Sequence, residues 1–545
     1  MRPDAAPVLG AARPRPGEVA ALPVAAALVA AVLLAVFVAW PLAALLATGA
    51  AHARALFAAA RPLAALPGSL ALAAVSAVLT VTLGGVLAYA VTRADIPGKG
   101  FVSAVVRLPM VAPPFVAALA LLLLAGDHGL LARALGPRRG VQGFAGIVIA
   151  QVVTFVPYAF LVMADVFRGW DGTLEEAAEN LGASRPDTFR RVTLALAWPG
   201  LTSSALLVFV LALSDFANPF LIGAGFPVLA TEIYAQAIAA GDTGGAAALG
   251  VALLVPSLVA WTLNTYWLGI PSALFRWEAA AGTGRPVSPA IRWPLFALAL
   301  GAAAVVLGLY VGVGVASFVG LSGAGPIFST RHYAAVLSAD GARPLLRSLW
   351  LAAVAAGAGT VLALAIAFIT TRRPTPGARV IEVWSGLPSA LPGPVFGLGY
   401  LLAFGGGPVP LAGTLGILVA SVVFWKLPLG VLTAVTFLRR VDPSREEAAV
   451  SLGAGPLRVS AQVTLPYLAP IVLLAFAEFF VDGLVTVNAL VMLVSADLAP
   501  ASVAMLHGAR DGALAGASAL GVLLFVPTLG AVMLRRSAAG TTAAP

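Results

Sequence analysis

With 545 residues, 60% hydrophobic and only 10% charged, the chain falls far below the roughly one quarter of charged residues in soluble domains, so most of it must lie in lipid. It has no cysteine, which excludes a disulfide framework and thiolate metal sites. The formal charge of +9 comes from 32 basic residues scattered through short loops, a pattern of membrane topology rather than of nucleic-acid binding.

A membrane span needs about 20 apolar residues, and roughly twelve stretches satisfy that rule. Residues 1–18 read as a tail. The stretch from Leu22 to Leu46 is too long for a cleaved signal and lacks a small-residue cleavage pattern, so it reads as the first span, centred near Val32. Further spans centre near Leu79, Ala118, Thr154, Leu207 and Val255, which makes 19–272 a first set of six. Gly282, Gly284 and Pro286 mark 273–292 as a short linker. The second set, 293–536, centres near Val305, Ala358, Gly393, Val422, Leu474 and Leu523, and 537–545 is a second tail. Prolines and a glycine inside the spans (Pro113, Pro114, Pro157, Pro392, Gly393, Pro394, Pro428) are tolerable where neighbouring helices satisfy the freed backbone groups.

Charge orients the set. With the N-terminus in the cytoplasm, about 22 basic residues face inward, among them Arg13, Arg93, Lys99, Arg190, Arg191, Arg276, Arg372, Arg439, Arg440 and Arg535. About nine face outward, chiefly Arg54, Arg133, Arg138, Arg139, Arg331 and Arg343. Both termini are therefore expected inside. Because each set has an even number of spans, the two are parallel repeats related by an axis along the membrane normal.

The repeat is written in the residues. In the inward loop 169–198 stand Glu175, Glu176, Ala177 and Ala178 with Gly182, and in 438–468 stand Glu446, Glu447, Ala448 and Ala449 with Gly453, each pair 271 positions apart. Val192-Thr193-Leu194 is answered by Val463-Thr464-Leu465, and Pro199 by Pro470. Earlier in the chain the offset is 279: Ser69-Leu70 matches Ser348-Leu349, Thr92-Arg93 matches Thr371-Arg372, Pro97-Gly98 matches Pro376-Gly377, and Leu108-Pro109 matches Leu387-Pro388. The extra residues of the first half fall near Gly126 to Gly143, in an outward loop where insertion is cheap. The first span of each half is only loosely comparable.

The doubled loop has its own physics. Acidic residues at 175–176 suit the first turn of a helix, where they complement its positive end. Thr173 and Ser444 stand where caps are expected. Gly182 and Gly453 are placed to end the helix with a left-handed residue, giving a helix-turn-helix elbow under the membrane. A merely solvated acidic loop would explain one copy, but not two in register.

Glu-Ala-Ala, three residues, Gly, nine residues and an aliphatic-x-Leu-Pro ending resembles the cytoplasmic loop of ATP-binding-cassette importer permeases. Glu447, Ala448, Ala449, Gly453, Val463, Leu465 and Pro466 match it fully; the first copy has Ala195 where the pattern has proline. The resemblance implies an all-α polytopic membrane protein with a type I importer fold: twelve spans in two parallel six-helix repeats. It also implies two elbows that dock on two copies of a cytoplasmic ATPase subunit, and an external substrate-binding protein that delivers cargo. The implied location is the bacterial inner (plasma) membrane. Nucleic acid is not an expected partner.

ATP hydrolysis must come from another subunit. A phosphate-binding loop needs Lys followed by Ser or Thr, and the only lysines are Lys99, before Gly100, and Lys426, before Leu427. Leu321 to Gly325 only faintly echoes an ATPase signature and lies in an outward Gly-rich loop. His52, His128, His332 and His507 are all expected in outward loops, so neither a cofactor nor a metal cage is expected within the spans. The chain is not expected to be an enzyme.

Ionisable groups within spans mark either a pathway or an interhelical pair. The candidates are Asp215 with neighbouring Asn218, Lys426, and Glu478 with Asp482, the last two sharing one helix face at a spacing of four. Either reading is open for them. The stretches Ser214 to Pro219, Ala230 to Tyr234, Val485 to Ala489 and Leu493 to Ser495 resemble ferric-iron permeases most, with thiamine and 2-aminoethylphosphonate permeases as alternatives. A twelve-span secondary transporter shares the parallel halves but has no use for docking elbows.

Overall fold

The computed structural model describes residues 16–58, 64–126, 141–169, 172–267, 287–322, 325–372, 377–406, 409–439, 444–459, 462 and 465–542. The tail before Pro16, His128, the Arg133 to Arg139 cluster, Arg440, most of the linker, Val463, Thr464 and the side chains of Glu446 and Pro466 lie outside what is described. Among the described residues the chain is helical apart from one antiparallel hairpin, Val319–Ser322 with Gly325–Phe328, which occupies the glycine-rich segment expected as a loop.

Nine helices among the described residues are long and apolar enough to cross a bilayer, or ten with one bent pair. The helix Leu465–Val485, which carries Glu478 and Asp482, is 21 residues long, the length a span requires. The third span of each half departs from the expected straight helix. In the first half it divides into Lys99–Val106, a tight turn at Leu108–Val111, and Val116–Ala125. In the second, Ala378–Ala390 and Gly393–Phe404 meet at a bend of 114°. The cause is proline crowding: Pro109, Pro113 and Pro114, and Pro388, Pro392 and Pro394, remove several helical N–H donors within one or two turns. Single prolines do not break the rod. Pro157, Pro199 and Pro256 lie inside helices, as do Pro428, Pro470 and Pro527, each 271 positions on.

The segments between the fifth and sixth spans are folded rather than extended. Short helices Ala217–Ile222 and Leu229–Tyr234 in the first half answer short turns at Leu490–Met492 and Ala496–Leu498 and the helix Ala501–Arg510 in the second. One bond anchors each of them identically: the Leu229 N–H donates to Ser69 Oγ at 2.8 Å, and the Ala501 N–H donates to Ser348 Oγ at 2.8 Å. The serine pair visible in sequence as a repeat marker thus caps an otherwise unsatisfied helix start.

The first spans, poorly matched in sequence, have equivalent roles. Val24–Ala53 packs on Arg343–Thr371, Ala378–Gly386 and Gly393–Phe404 of the other half. Pro289–Ala316 packs on Ala65–Thr92, Lys99–Val106 and Val116–Ala125, the counterparts of those three. Each half is therefore clasped by the opening helix of the other. Tyr400 strengthens the clasp, its hydroxyl donating at 2.8 Å to the Phe37 carbonyl within a π-helical turn at Ala35–Ala39.

Several helices outrun their apolar centres, because backbone hydrogen bonding does not stop where hydrophobicity does. Pro16–Leu34 begins inside the expected first tail, Pro289–Ala316 begins inside the expected linker, and Leu514–Thr542 continues through most of the expected last tail.

Candidate coupling elbows and an internal charge cluster

The first elbow is the helix Thr173–Asn180, a reversal at Gly182, and a second helix from Arg185 that continues through a π-helical turn at Phe189–Thr193 into the span ending at Leu213. Gly182 has φ +90°, and the Ala183 N–H reaches the Ala178 carbonyl at 3.0 Å while the Gly182 N–H reaches that of Glu179 at 2.9 Å. The second elbow, Ser444–Ser451 and Pro456–Val459, repeats this: Gly453 has φ +83°, Ala454 N–H to Ala449 is 3.0 Å, and Gly453 N–H to Val450 is 2.9 Å. Both are six-to-one closures with glycine in the left-handed region, as the spacing predicts. The capping expectation needs correction in both copies. Thr173 and Ser444 are each the first residue of their helix, with Gly172 preceding the first, so they stand inside the turns they were expected to cap.

Glu176 and Ala177 are exposed, as are Glu447 and Ala448, while Glu175 turns back and accepts a hydrogen bond from Thr193 Oγ1 at 2.5 Å. That bond ties the elbow's first helix to the root of the span. Sequence reading missed the most exposed large apolar side chains among the described residues: Leu181 is 90% exposed and Leu452 89%, again 271 positions apart and directly before the glycines. Two nearly bare leucines thus stand at equivalent tips of the two elbows. The missed signal was the Leu-Gly dipeptide, present in both copies. Beside the first elbow a groove of about 680 Å³ runs between the Ala65–Thr92 helix and the start of Pro289–Ala316, lined in part by Tyr89, Arg93, Glu175, Arg185 and Ile291.

The charged candidates within the spans separate into two groups. Asp215 lies just past the end of the Leu194–Leu213 helix and is 1% exposed. Its Oδ2 accepts from Gln151 Nε2 at 3.0 Å and Asn218 Nδ2 at 2.9 Å, and Ser76 Oγ donates to Gln151 Oε1 at 2.7 Å. This chain of neutral donors joins the second, fourth and fifth spans to the short helix Ala217–Ile222. Its placement fits the interhelical-pair alternative for Asp215 and Asn218. Gln151, the centre of the network, was not singled out from sequence because a lone glutamine in an apolar run carries no charge signal.

Lys426, Glu478 and Asp482 lie together in the second half. Lys426 Nζ is 3.0 Å from Asp482 Oδ1 and 4.6 Å from the centre of the Trp425 ring, and Thr433 Oγ1 donates to Glu478 at 3.0 Å. Tyr158, on the fourth span of the first half, lies within the electrostatic range of both Lys426 and Asp482. No group of three or more His, Cys, Asp or Glu side chains suited to a metal ion is found among the described residues. His507, expected in an outward loop, instead lies half-buried on the Ala501–Arg510 helix, and His52 lies on the Trp40–Ala58 helix. Arg510 of that same short helix stacks 3.9 Å from the Phe220 ring, joining the folded segments of the two halves.

These features define a polytopic helical membrane protein of two clasped repeats, each with an exposed elbow. Residues 80–268, which include the first elbow, match the family described as the binding-protein-dependent transport system inner membrane component. The chain is 32% identical over 451 residues to a ferric transport system permease protein of Actinobacillus pleuropneumoniae, covering 80% of this chain and 66% of that protein. A putative ferric transport system permease of Haemophilus influenzae is also 32% identical, over 403 residues, with 72% and 64% covered. A probable molybdenum permease protein of Haloferax volcanii is 33% identical over 193 residues, 35% of this chain and 70% of that protein. The chain belongs to the permease components of ATP-binding-cassette importers. It spans just under two thirds of the length of the two ferric relatives.

Proposed function

We propose that the chain is the transmembrane subunit of an ATP-driven, binding-protein-dependent importer in the bacterial inner membrane, and that its cargo is ferric iron. The observation that carries the transport reading is the pair of equivalent elbows, each with a bare leucine at its tip (Leu181, Leu452). A soluble partner with two equivalent grooves would engage both. In this reading Glu175, Glu176, Ala177, Ala178 and Gly182, with Glu446, Glu447, Ala448, Ala449 and Gly453, form the coupling surfaces for two ATPase subunits. ATP-driven closure of those subunits draws the elbows together. The first elbow transmits this directly, because its second helix is one rod with the fifth span over Arg185–Leu213. An external binding protein docks on the opposite face and releases cargo between the halves, which rock alternately outward and inward. Both termini then lie in the cytoplasm. The ferric relatives support the cargo; the molybdenum relative keeps other small solutes as the alternative.

The test is Gly182→Asp with Gly453→Asp. A Cβ at either glycine meets nothing within 4 Å in the chain itself, so the lesion is confined to the backbone turn and to whatever docks there. The double variant should insert normally, lose the co-purifying ATPase and lose ATP-dependent uptake. Undiminished uptake by the double variant, or uptake driven by an ion gradient without ATP, would replace this reading with that of a secondary transporter.

A further inference from the structure

Lys426 lies within the Leu415–Leu438 span, yet 26% of its side chain and 17% of that of Asp482 remain accessible. That access contrasts with the closed network at Asp215, which is 1% exposed. The pair lies near the junction of the halves, since Tyr158, within electrostatic range of both charges, comes from the first half and the ion pair from the second. Transporters built from repeats place their cargo sites at such junctions.

The pair is asymmetric in what each partner has to fall back on. Lys426 has two further sources of stabilisation: the Trp425 face at 4.6 Å and the field of Glu478, one turn before Asp482. Asp482 has none of comparable kind: no other side-chain hydrogen bond or ion pair to its carboxylate is found among the described residues. An anionic cargo that captured Lys426 would leave Asp482 stranded beside a second carboxylate, an arrangement of like charges that is costly inside a membrane. A cationic cargo that captured Asp482 would leave Lys426 held over an aromatic ring, a placement an ammonium tolerates.

From this asymmetry we infer that Lys426 is a tethered placeholder cation. It neutralises Asp482 while no cargo is bound and, already over Trp425 at 4.6 Å, gives up the Asp482 carboxylate to a hard cation when one arrives. A single carboxylate is too little to hold a resident metal, which suits a cargo in passage. The inference rests on the importer reading and deepens it by assigning the sign of the cargo.

Equilibrium dialysis of the purified full-length chain against ferric nitrilotriacetate tests it directly. Asp482→Asn should weaken iron retention by about tenfold or more, and Lys426→Met, which removes the competitor, should strengthen it by at least about threefold. Equal retention by the wild type and both single variants, or tighter retention by Asp482→Asn, overturns the inference. The double variant Lys426→Met with Asp482→Asn, which removes both charges, controls for folding and should retain iron no better than Asp482→Asn alone. A second arm offers molybdate in place of iron: molybdate retention that depends on Lys426 and is indifferent to Asp482 also overturns it. ATP-dependent uptake by the assembled complex is scored separately. Iron retention that follows the expected order in a complex without uptake would count against the importer reading and leave the cation site standing.

Discussion

The two halves share a backbone plan down to individual hydrogen bonds, yet their interiors differ in kind. In the first, Asp215 is enclosed by Gln151 and Asn218 and is 1% exposed. In the second, the Lys426–Asp482 pair stays partly accessible. None of these residues is duplicated: Thr486 stands at the position matching Asp215, and Leu211 at that matching Asp482. Duplication has therefore preserved what holds each half together and what presents its elbow. The buried polar chemistry has diverged: one half holds a closed network and the other a partly accessible ion pair.

The comparison can be broken at the roots of the elbows, where the largest stability effect is expected. The first root runs unbroken through Ala195, from Arg185 to Leu213, and the matching position of the second half carries Pro466. Ala195→Pro should cost about 3 kcal/mol, because a proline within a helix loses a hydrogen bond and clashes with the preceding turn. Thermal unfolding in detergent micelles measures it, and a negligible loss would show that the first root accepts proline as the second does. Next in size is Asp215→Leu, which leaves the Asn218 amide without this acceptor and the Gln151 amide with only the Ala212 carbonyl, and should destabilise the chain by about 1–3 kcal/mol in the same assay. Lys426→Met with Asp482→Leu should change stability less, because that pair is already partly accessible.

Leu181→Asp and Leu452→Asp sharpen the comparison on the exposed side. Each should leave unfolding unchanged, since neither leucine is packed, while reducing ATPase co-purification by about tenfold, as loss of a contact-surface anchor does. Unequal losses would measure the inequality that Ala195 suggests. The smallest effect is expected from Ser69→Ala and Ser348→Ala, each removing one matched 2.8 Å bond and costing about 1 kcal/mol. Similar shifts in the two variants would place both halves on the same scaffold, and a large difference would not.

Much of this was legible in the chain itself. Composition declared a membrane protein, and the repeated Glu-Glu-Ala-Ala with Gly182 and Gly453 located two elbows whose glycines do adopt the left-handed conformation. The apolar stretches found the helices, because a span is specified by its own length and hydropathy. The broken third spans were readable in principle from Pro109, Pro113 and Pro114, since crowded prolines break a helix where single ones do not. The short helices after the fifth spans were not readable. They are too brief to stand alone and are held by a serine from a distant span.

By itself, then, the sequence determined the solvent the protein lives in, its twofold plan, and the two polar elbows that plan repeats, because hydropathy, register and turn chemistry are local properties. Only the tertiary structure decided that each half is clasped by the other's first helix, that Asp215 is closed off, and that Lys426 and Asp482 meet as a partly accessible pair. Those outcomes depend on how helices rotate and lean against partners hundreds of residues away. A charge in an apolar run looks the same in sequence whether its neighbours enclose it or leave it a path.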